Sequence, residues 1–150
     1  MAFYKRVNTA KRTLDRAASV RRRELAITHA DLDEADGQQD FDIGAALPAG
    51  AIVLYAYVDV TTKFQNAGDT DTTTCDVGVK AGTVNAIIDG ADLKTVAKTD
   101  ATIGAKPAGF FGAVTLQLRV DSDVNVDTLT AGEATVNILY VDPSDVAVAT

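Results

Sequence analysis

Val114-Thr-Leu-Gln-Leu-Arg-Val-Asp121 alternates without a break: Val114, Leu116, Leu118 and Val120 face one way, and Thr115, Gln117, Arg119 and Asp121 face the other. A period of two sustained over such a stretch marks a strand with one buried face. The pattern returns at Ala134, Val136, Ile138 and Tyr140 and ends at Asp142-Pro143, since proline cannot donate to a ladder. Upstream, Cys75, Val77 and Val79 alternate with Asp76, Gly78 and Lys80. The stretch from Asp121 to Gly132, rich in Asp, Asn, Thr and Gly, is expected to be a loop.

Towards the N-terminus, Leu25 and Ile27 alternate with Ala26 and Thr28, and Phe41 and Ile43 with Asp40 and Asp42. Leu47-Pro48-Ala49-Gly50 has the residue order of a type I turn, with proline second and glycine last. The strand expected from Ala51 places Ile52, Leu54, Ala56, Val58 and Val60 on one face. Its other face carries Val53, Tyr55, Tyr57 and Asp59, which predicts cover on both sides for most of its length. Residues 65–74 read as a polar loop, and residues 86–98 as either a short helix from about Asp89 or two short strands. About seven or eight short strands with frequent turn signals and no long helix predict an all-β fold. An antiparallel β-sandwich or jelly-roll-like barrel is the expected architecture. No repeat of the solenoid or propeller kind is present.

The 150 residues suit one domain able to bury ~70% of its unfolded surface. The net charge of −7 averages two unlike parts. Residues 1–24 hold eight basic side chains against two acidic ones, net +6; residues 25–150 hold six against nineteen, net −13. We therefore divide the chain into a basic N-terminal arm, residues 1–23, and a single β domain, residues 24–150. The arm carries Lys5, Arg6, Lys11, Arg12, Arg16, Arg21, Arg22 and Arg23. Val7, Ala10, Leu14 and Ala17 keep a 3–4 spacing, so residues 8–22 are expected to form a weak amphipathic helix once a surface is offered. Alone, with like charges at Arg12 and Arg16, such a helix is marginal.

Composition excludes several classes of function. A lone Cys75 makes no internal disulfide. The longest apolar run, Ala51 to Val58, is far short of the ~20 residues that span a bilayer. No apolar segment follows the basic start, so it is no secretory signal, and with Ser19 as its only serine it is a poor transit peptide. The chain is expected to be soluble and unprocessed.

No catalytic constellation emerges. His29 is the sole histidine, and Ser19, Ser122 and Ser144 lie outside any Gly-x-Ser-x-Gly elbow. Cys75 opens an apolar strand face and reads as a small hydrophobe. One His and one Cys leave a tetrahedral zinc site out of reach of one chain. Asp31-Leu-Asp33-Glu34-Ala-Asp36-Gly37 resembles a calcium loop, but its third acid and its Gly each arrive one residue late, and position 12 is Asp42. An irregular Ca²⁺ site on Asp31, Asp33 and Asp36, or on Asp69 and Asp71, stays open. No phosphate-binding loop is present. Neither cofactor nor metal is expected, and no enzymatic activity.

The arm is the feature able to bind by charge. Lys and Arg neutralise phosphates, and Phe3 and Tyr4 could stack on bases, but a polyanion would repel the −13 domain behind them. The same objection meets an anionic membrane surface. An acidic protein surface, such as the flank of a neighbouring copy, suits the arm better. Twenty-three extended residues span at most ~75–80 Å. Ordering them costs about 1–2 kcal/mol per residue, so many contacts are needed. Arg forks that pair with carboxylates through two hydrogen bonds supply contacts of that kind.

Leu47-Pro-Ala-Gly-Ala-Ile-Val-Leu-Tyr-Ala-Tyr-Val-Asp-Val-Thr-Thr-Lys-Phe64, Ile88-Asp-Gly-Ala-Asp-Leu93 and Leu129-Thr-Ala-Gly-Glu-Ala-Thr-Val-Asn-Ile-Leu-Tyr140 together resemble β-rich virion proteins of tailed phages. Within that group they look most like head decoration, or cement, proteins. The resemblance covers about residues 25–143. It implies a non-enzymatic protein made in the host cytoplasm and carried on the outer capsid surface. By the same resemblance it stabilises the head, forms a homotrimer, takes the major capsid protein as partner, and clamps neighbouring subunits with its arm. Two other readings stand beside it. One is a tail or fibre module recognising a host-surface glycan or protein, which would want a concave patch of Tyr55, Tyr57, Phe110 or Phe111. The other is a hydrolase, which would want two converging carboxylates in a cleft.

Overall fold

The computed structural model describes residues 20–101, 108–109 and 113–142. They form nine strands: β1 (Val20–Thr28), β2 (Gln38–Asp42), β3 (Ile52–Asn66), β4 (Thr73–Val79), β5 (Ile88–Asp92), β6 (Lys98–Asp100), β7 (Ala108–Gly109), β8 (Leu116–Ser122) and β9 (Leu129–Val141). Two single-turn 3₁₀ helices, His29–Asp31 and Val126–Thr128, are the only helical elements among the described residues.

All pairings are antiparallel. Sheet A runs β1-β9-β3-β6, with the two-residue β7 also on β3; sheet B runs β2-β8-β4-β5. Leaving β7 aside, the chain passes between the sheets in the order A, B, A, B, B, A, B, A, which is the strand order of an eight-stranded jelly roll. The expected all-β sandwich or jelly-roll class is the observed one.

Strands with a strict period of two fold as their residues dictate. β8 buries Leu116, Leu118 and Val120; β4 buries Cys75 and Val77; β9 buries Ala134, Val136, Ile138 and Tyr140. These pack against Ile27, Val53, Ala56, Val58, Val60 and Ile43 in one core between the sheets. Leu32 and Val126 close one end, where Val126 N–H donates to the Asp36 carbonyl at 2.8 Å. The ambiguous stretch 86–98 contributes strands at both ends, β5 and the first residue of β6.

Four expectations need correction. The turn sits one residue later: Ala51 N–H donates to the Pro48 carbonyl at 3.1 Å, and Gly50 takes φ +78°. That is the positive φ a type II turn demands at its third residue. In β3 a register shift between Val53 and Tyr55 adds a residue and reverses the alternation. Val53, Ala56, Val58 and Val60 are therefore buried, while Ile52 and Leu54 face water. The opposite face is only half covered, at Tyr55, Tyr57 and Asp59. The expected loops at 65–74 and 121–132 are shorter, because β3 runs on to Asn66 and β9 starts at Leu129, pairing there through further register shifts. Gly132, which reads as a loop residue, belongs to that ladder. A Cβ on it would lie 2.3 Å from Phe64 Cδ1, so the ring requires a bare backbone there. Finally, residues 20–22 of the expected helix are extended, held by β9 from Val20↔Val141 onward; the rest of that window lies outside the described residues.

Candidate interaction surfaces

Of the arm's basic residues, Lys5, Arg6, Lys11, Arg12 and Arg16 lie outside the described residues. Arg21, Arg22 and Arg23 stand in β1, an edge strand among the described residues, which begins four residues before the boundary expected after Arg23. Pairing with β9 sends them to alternate sides of sheet A. Arg21 makes an ion pair of 3.5 Å with the buried Asp142. Arg22 Nε donates to Asn137 Oδ1 at 2.6 Å, and its guanidinium pairs with Glu24. That contact explains how Asn137 is buried although its neighbours Val136 and Ile138 point into the core. Arg23 turns inward, its guanidinium 5.8 Å from the Tyr140 ring centroid and its stem against Gly44; its Nε is buried without a hydrogen-bond partner among the described residues.

The outer face of sheet A continues from Arg22 through Leu139 to Tyr55, and from Glu24 through Asn137 to Tyr57. The two tyrosine rings lie 5.6 Å apart, and Lys98 Nζ sits 4.3 Å from the Tyr57 centroid and 5.0 Å from that of Tyr55. Lys98 also donates to Tyr55 Oη at 2.6 Å and pairs with Asp100 at 3.0 Å, while Tyr55 Oη donates to Asp100. The Tyr55 hydroxyl and Asp100 raise the Lys98 ammonium above its usual range, and Tyr55 and Lys98 lower the Asp100 carboxyl. Cation–π contact with two rings holds the ammonium flat on the sheet. At the end of this face where β1 begins, Val20, Val141 and Ile52 form one row across three strands, and Leu54 projects beside them from the bulge. Val20, Ile52 and Leu54 are 51%, 43% and 47% exposed.

Sheet B turns a different face outward. Its rows read Gln38-Asp121-Thr74, Asp40-Arg119-Asp76 and Asp42-Gln117-Gly78. Arg119 grips Asp40 with two bonds of 2.8 and 3.0 Å, which raises the guanidinium further, and Lys80 pairs with Asp42 at 2.8 Å. The connection after β4 folds over Gly78, where a Cβ would meet the Thr83 and Val84 carbonyl oxygens at 2.2 Å.

The residues considered for chemistry are dispersed. Cys75 is fully buried, and burial pushes its thiol to about 12, so no thiolate nucleophile forms at neutral pH. His29 opens a 3₁₀ turn; Ser122 bonds to Thr73 Oγ1 at 3.1 Å; Ser19 and Ser144 lie outside the described residues. Asp31 accepts from the Thr28 N–H and hydroxyl at 2.8 Å each, Asp33 from Gln39 Nε2 and Asp36 from the Gly37 N–H. These acids serve their own turns, and among the described residues no group of three or more His, Cys, Asp or Glu is arranged around a common metal position. Asp71 is buried in the β3–β4 connection. Burial raises its carboxyl, but Lys94 at 2.8 Å, the Thr73 hydroxyl and the Asn66 N–H outweigh that and hold it at about 2. Lys94 also reaches Asp69 at 2.7 Å. Among the described residues no helix is long and apolar enough to cross a membrane.

Sequence reading paired Tyr55 with Tyr57 but missed Lys98, Asp100 and the exposed Ile52 and Leu54. The i, i+2 spacing of the tyrosines was the legible signal, whereas the bulge and the β3–β6 pairing leave none.

No family model and no curated protein matches the chain. Its fold is similar to that of solved structures. A chain of the cyanophage Pam1 capsid asymmetric unit superposes with a TM-score of 0.58 at 20% identity, covering 81% of this chain and 84% of that one. A chain of the Ralstonia phage GP4 capsid gives 0.58 at 20%, covering 84% and 86%. A chain of the acid-stable capsid of the Helicobacter pylori phage KHP30 gives 0.56 at 17%, covering 83% and 88%.

Proposed function

We propose that the chain is a non-enzymatic virion structural protein. It binds the outer surface of a tailed-phage capsid as a homotrimer, partners the major capsid protein and stabilises the head. The observation that carries this reading is that a jelly roll spanning most of the chain also spans most of three chains from phage capsids. The dispersal of Cys75, His29 and the acidic residues supports a binding rather than a chemical role.

In this reading residues 1–19, which precede β1 and carry Lys5, Arg6, Lys11, Arg12 and Arg16, reach up to ~65 Å from Val20 and clamp acidic surfaces of neighbouring subunits. Arg21, Arg22 and Arg23 anchor the root of this arm, since each already engages sheet A. The glycan-binding alternative is disfavoured at Tyr55 and Tyr57, where a sugar would have to displace the Lys98 ammonium from both rings.

The test is deletion of residues 2–19, which leaves every described strand intact. Full-length protein is expected to co-sediment with shells of the same phage and raise their thermal disruption temperature. The truncated protein is expected to fold normally but lose the reinforcement. Equal reinforcement by both would refute the clamping role, and no binding by the full chain would refute the virion role.

A further inference from the structure

The bulge in β3 breaks backbone pairing between Val53 and Tyr55 and turns Leu54 to water at 47% exposure. Neither consequence helps a solitary chain: a ladder is interrupted and an apolar side chain is hydrated. Ile52 and Val20 lie in the adjoining row with Val141, so the exposure is contiguous rather than scattered. Three of the four large hydrophobics exposed among the described residues fall in this patch, whereas exposed apolar side chains that face only water are ordinarily scattered singly.

Charge selects the occupant. Among the described residues around this patch each cation is matched by an anion: Arg21 with Asp142, Arg22 with Glu24, Lys98 with Asp100. A nucleic acid or an anionic membrane would want net positive charge there, and a basic partner would want net negative. A second copy wants neither. Copies of a domain with net charge −13 over residues 25–150 repel one another over acidic surfaces, and least where the charges cancel. An apolar centre with tyrosines beside it and a rim of paired charges is also the usual composition of a protein interface. From strand spacing the patch covers on the order of 200 Å². That is well below the ~800 Å² per partner of a standard two-body interface, and it fits small patches from several copies converging on an axis.

We propose that Val20, Ile52 and Leu54, with Val141 and Leu139 behind them, form the apolar centre through which copies of this chain meet. This rests on the homotrimer reading above. Leu54 is the key contact because the bulge holds it clear of the sheet.

The test compares the solution mass of the full chain with those of Leu54→Asp, Ile52→Asp and the control Val96→Asp. Val96 is 61% exposed in the β5–β6 connection, away from this row. The full chain and Val96→Asp are expected to be trimeric. Leu54→Asp and Ile52→Asp are expected to need at least about tenfold more protein to assemble, with unchanged circular dichroism and with an unchanged melting temperature at concentrations where all are monomeric. Leu54→Ala, which introduces no charge, is expected to weaken assembly less and gives the same reading should an Asp variant fail to fold. Trimers that persist in both Asp variants would overturn this inference and leave the trimer reading standing. A full chain that is monomeric at every concentration would overturn both. Assembly lost on deleting residues 2–19 but kept in Leu54→Asp would assign the contact to the arm instead, and shell binding lost without loss of trimer would assign the patch to the capsid protein; either result overturns the inference.

Discussion

The two sheets share one core, yet their outer faces are unlike. Sheet B offers water Asp40, Asp42, Asp76, Asp121 and Arg119, and its β2–β8 and β4–β8 ladders pair without a register shift. Sheet A offers Val20, Ile52 and Leu54 together with Tyr55 and Tyr57. Both inner faces are equally committed to the core, so burial within one chain does not explain the difference. Sheet B's face carries the polar and charged side chains expected of a solvated antiparallel sheet, and sheet A's face departs from that.

Substitutions can break or sharpen the contrast. The largest effects belong to glycines that let each sheet be approached closely. Gly132→Ala drives a Cβ to 2.3 Å from the Phe64 ring at a φ of +146°, and Gly78→Ala drives one to 2.2 Å from two backbone carbonyls. Each is expected to destabilise by about 3 kcal/mol or more, read by urea unfolding. Gly132→Ala reads the packing of sheet A against the core, and Gly78→Ala reads how closely the β4–β5 connection lies on the outer face of sheet B.

Next comes the connection between the sheets at Asp71. Its folded carboxyl titrates at about 2 against an ordinary 3.8. The depressed value means its contribution is complete above pH ~4 and is lost as pH falls towards 2, amounting to about 2 kcal/mol. Asp71→Asn should therefore flatten the stability–pH curve between pH 4 and 2 in thermal melts, and an unchanged acid limb would refute the assignment.

The smallest effects distinguish the faces directly. Arg119→Ala on sheet B removes a two-bond pair with a partly exposed Asp40 and should cost up to about 1 kcal/mol of stability in chemical melts. It should leave solution mass untouched, whereas Leu54→Asp should do the reverse.

The parts of this fold legible in the sequence are those where one face of a strand is buried and no residue is added. β4, β8 and the second half of β9 show their buried residues directly. β3 misleads because a single extra residue inverts the faces downstream, and nothing in Ile52-Val-Leu-Tyr55 announces it. The start of β9 looks like a loop because Thr130, Gly132 and Glu133 suit turns, whereas the reason for Gly132 is the Phe64 ring of another strand, far away in sequence. The same limit applies to the candidate surface. The charge split pointed to the N-terminal residues, and Arg21, Arg22 and Arg23 were legible as a basic run. That they are also strand residues pinned by Asp142, Asn137 and Tyr140 depends on pairing with β9, more than a hundred residues on.

That pairing also fixes when the protein can fold. β9 lies between β1 and β3 in sheet A, so among the described strands β1 and β3 have no common partner until β9 has been synthesised. At ~5–20 residues per second on the ribosome, β1 waits several seconds for its β9 partner. The β1–β9 and β3–β9 ladders are therefore the late ones to form, whereas β3–β6 and β4–β5 join residues that are all in place earlier.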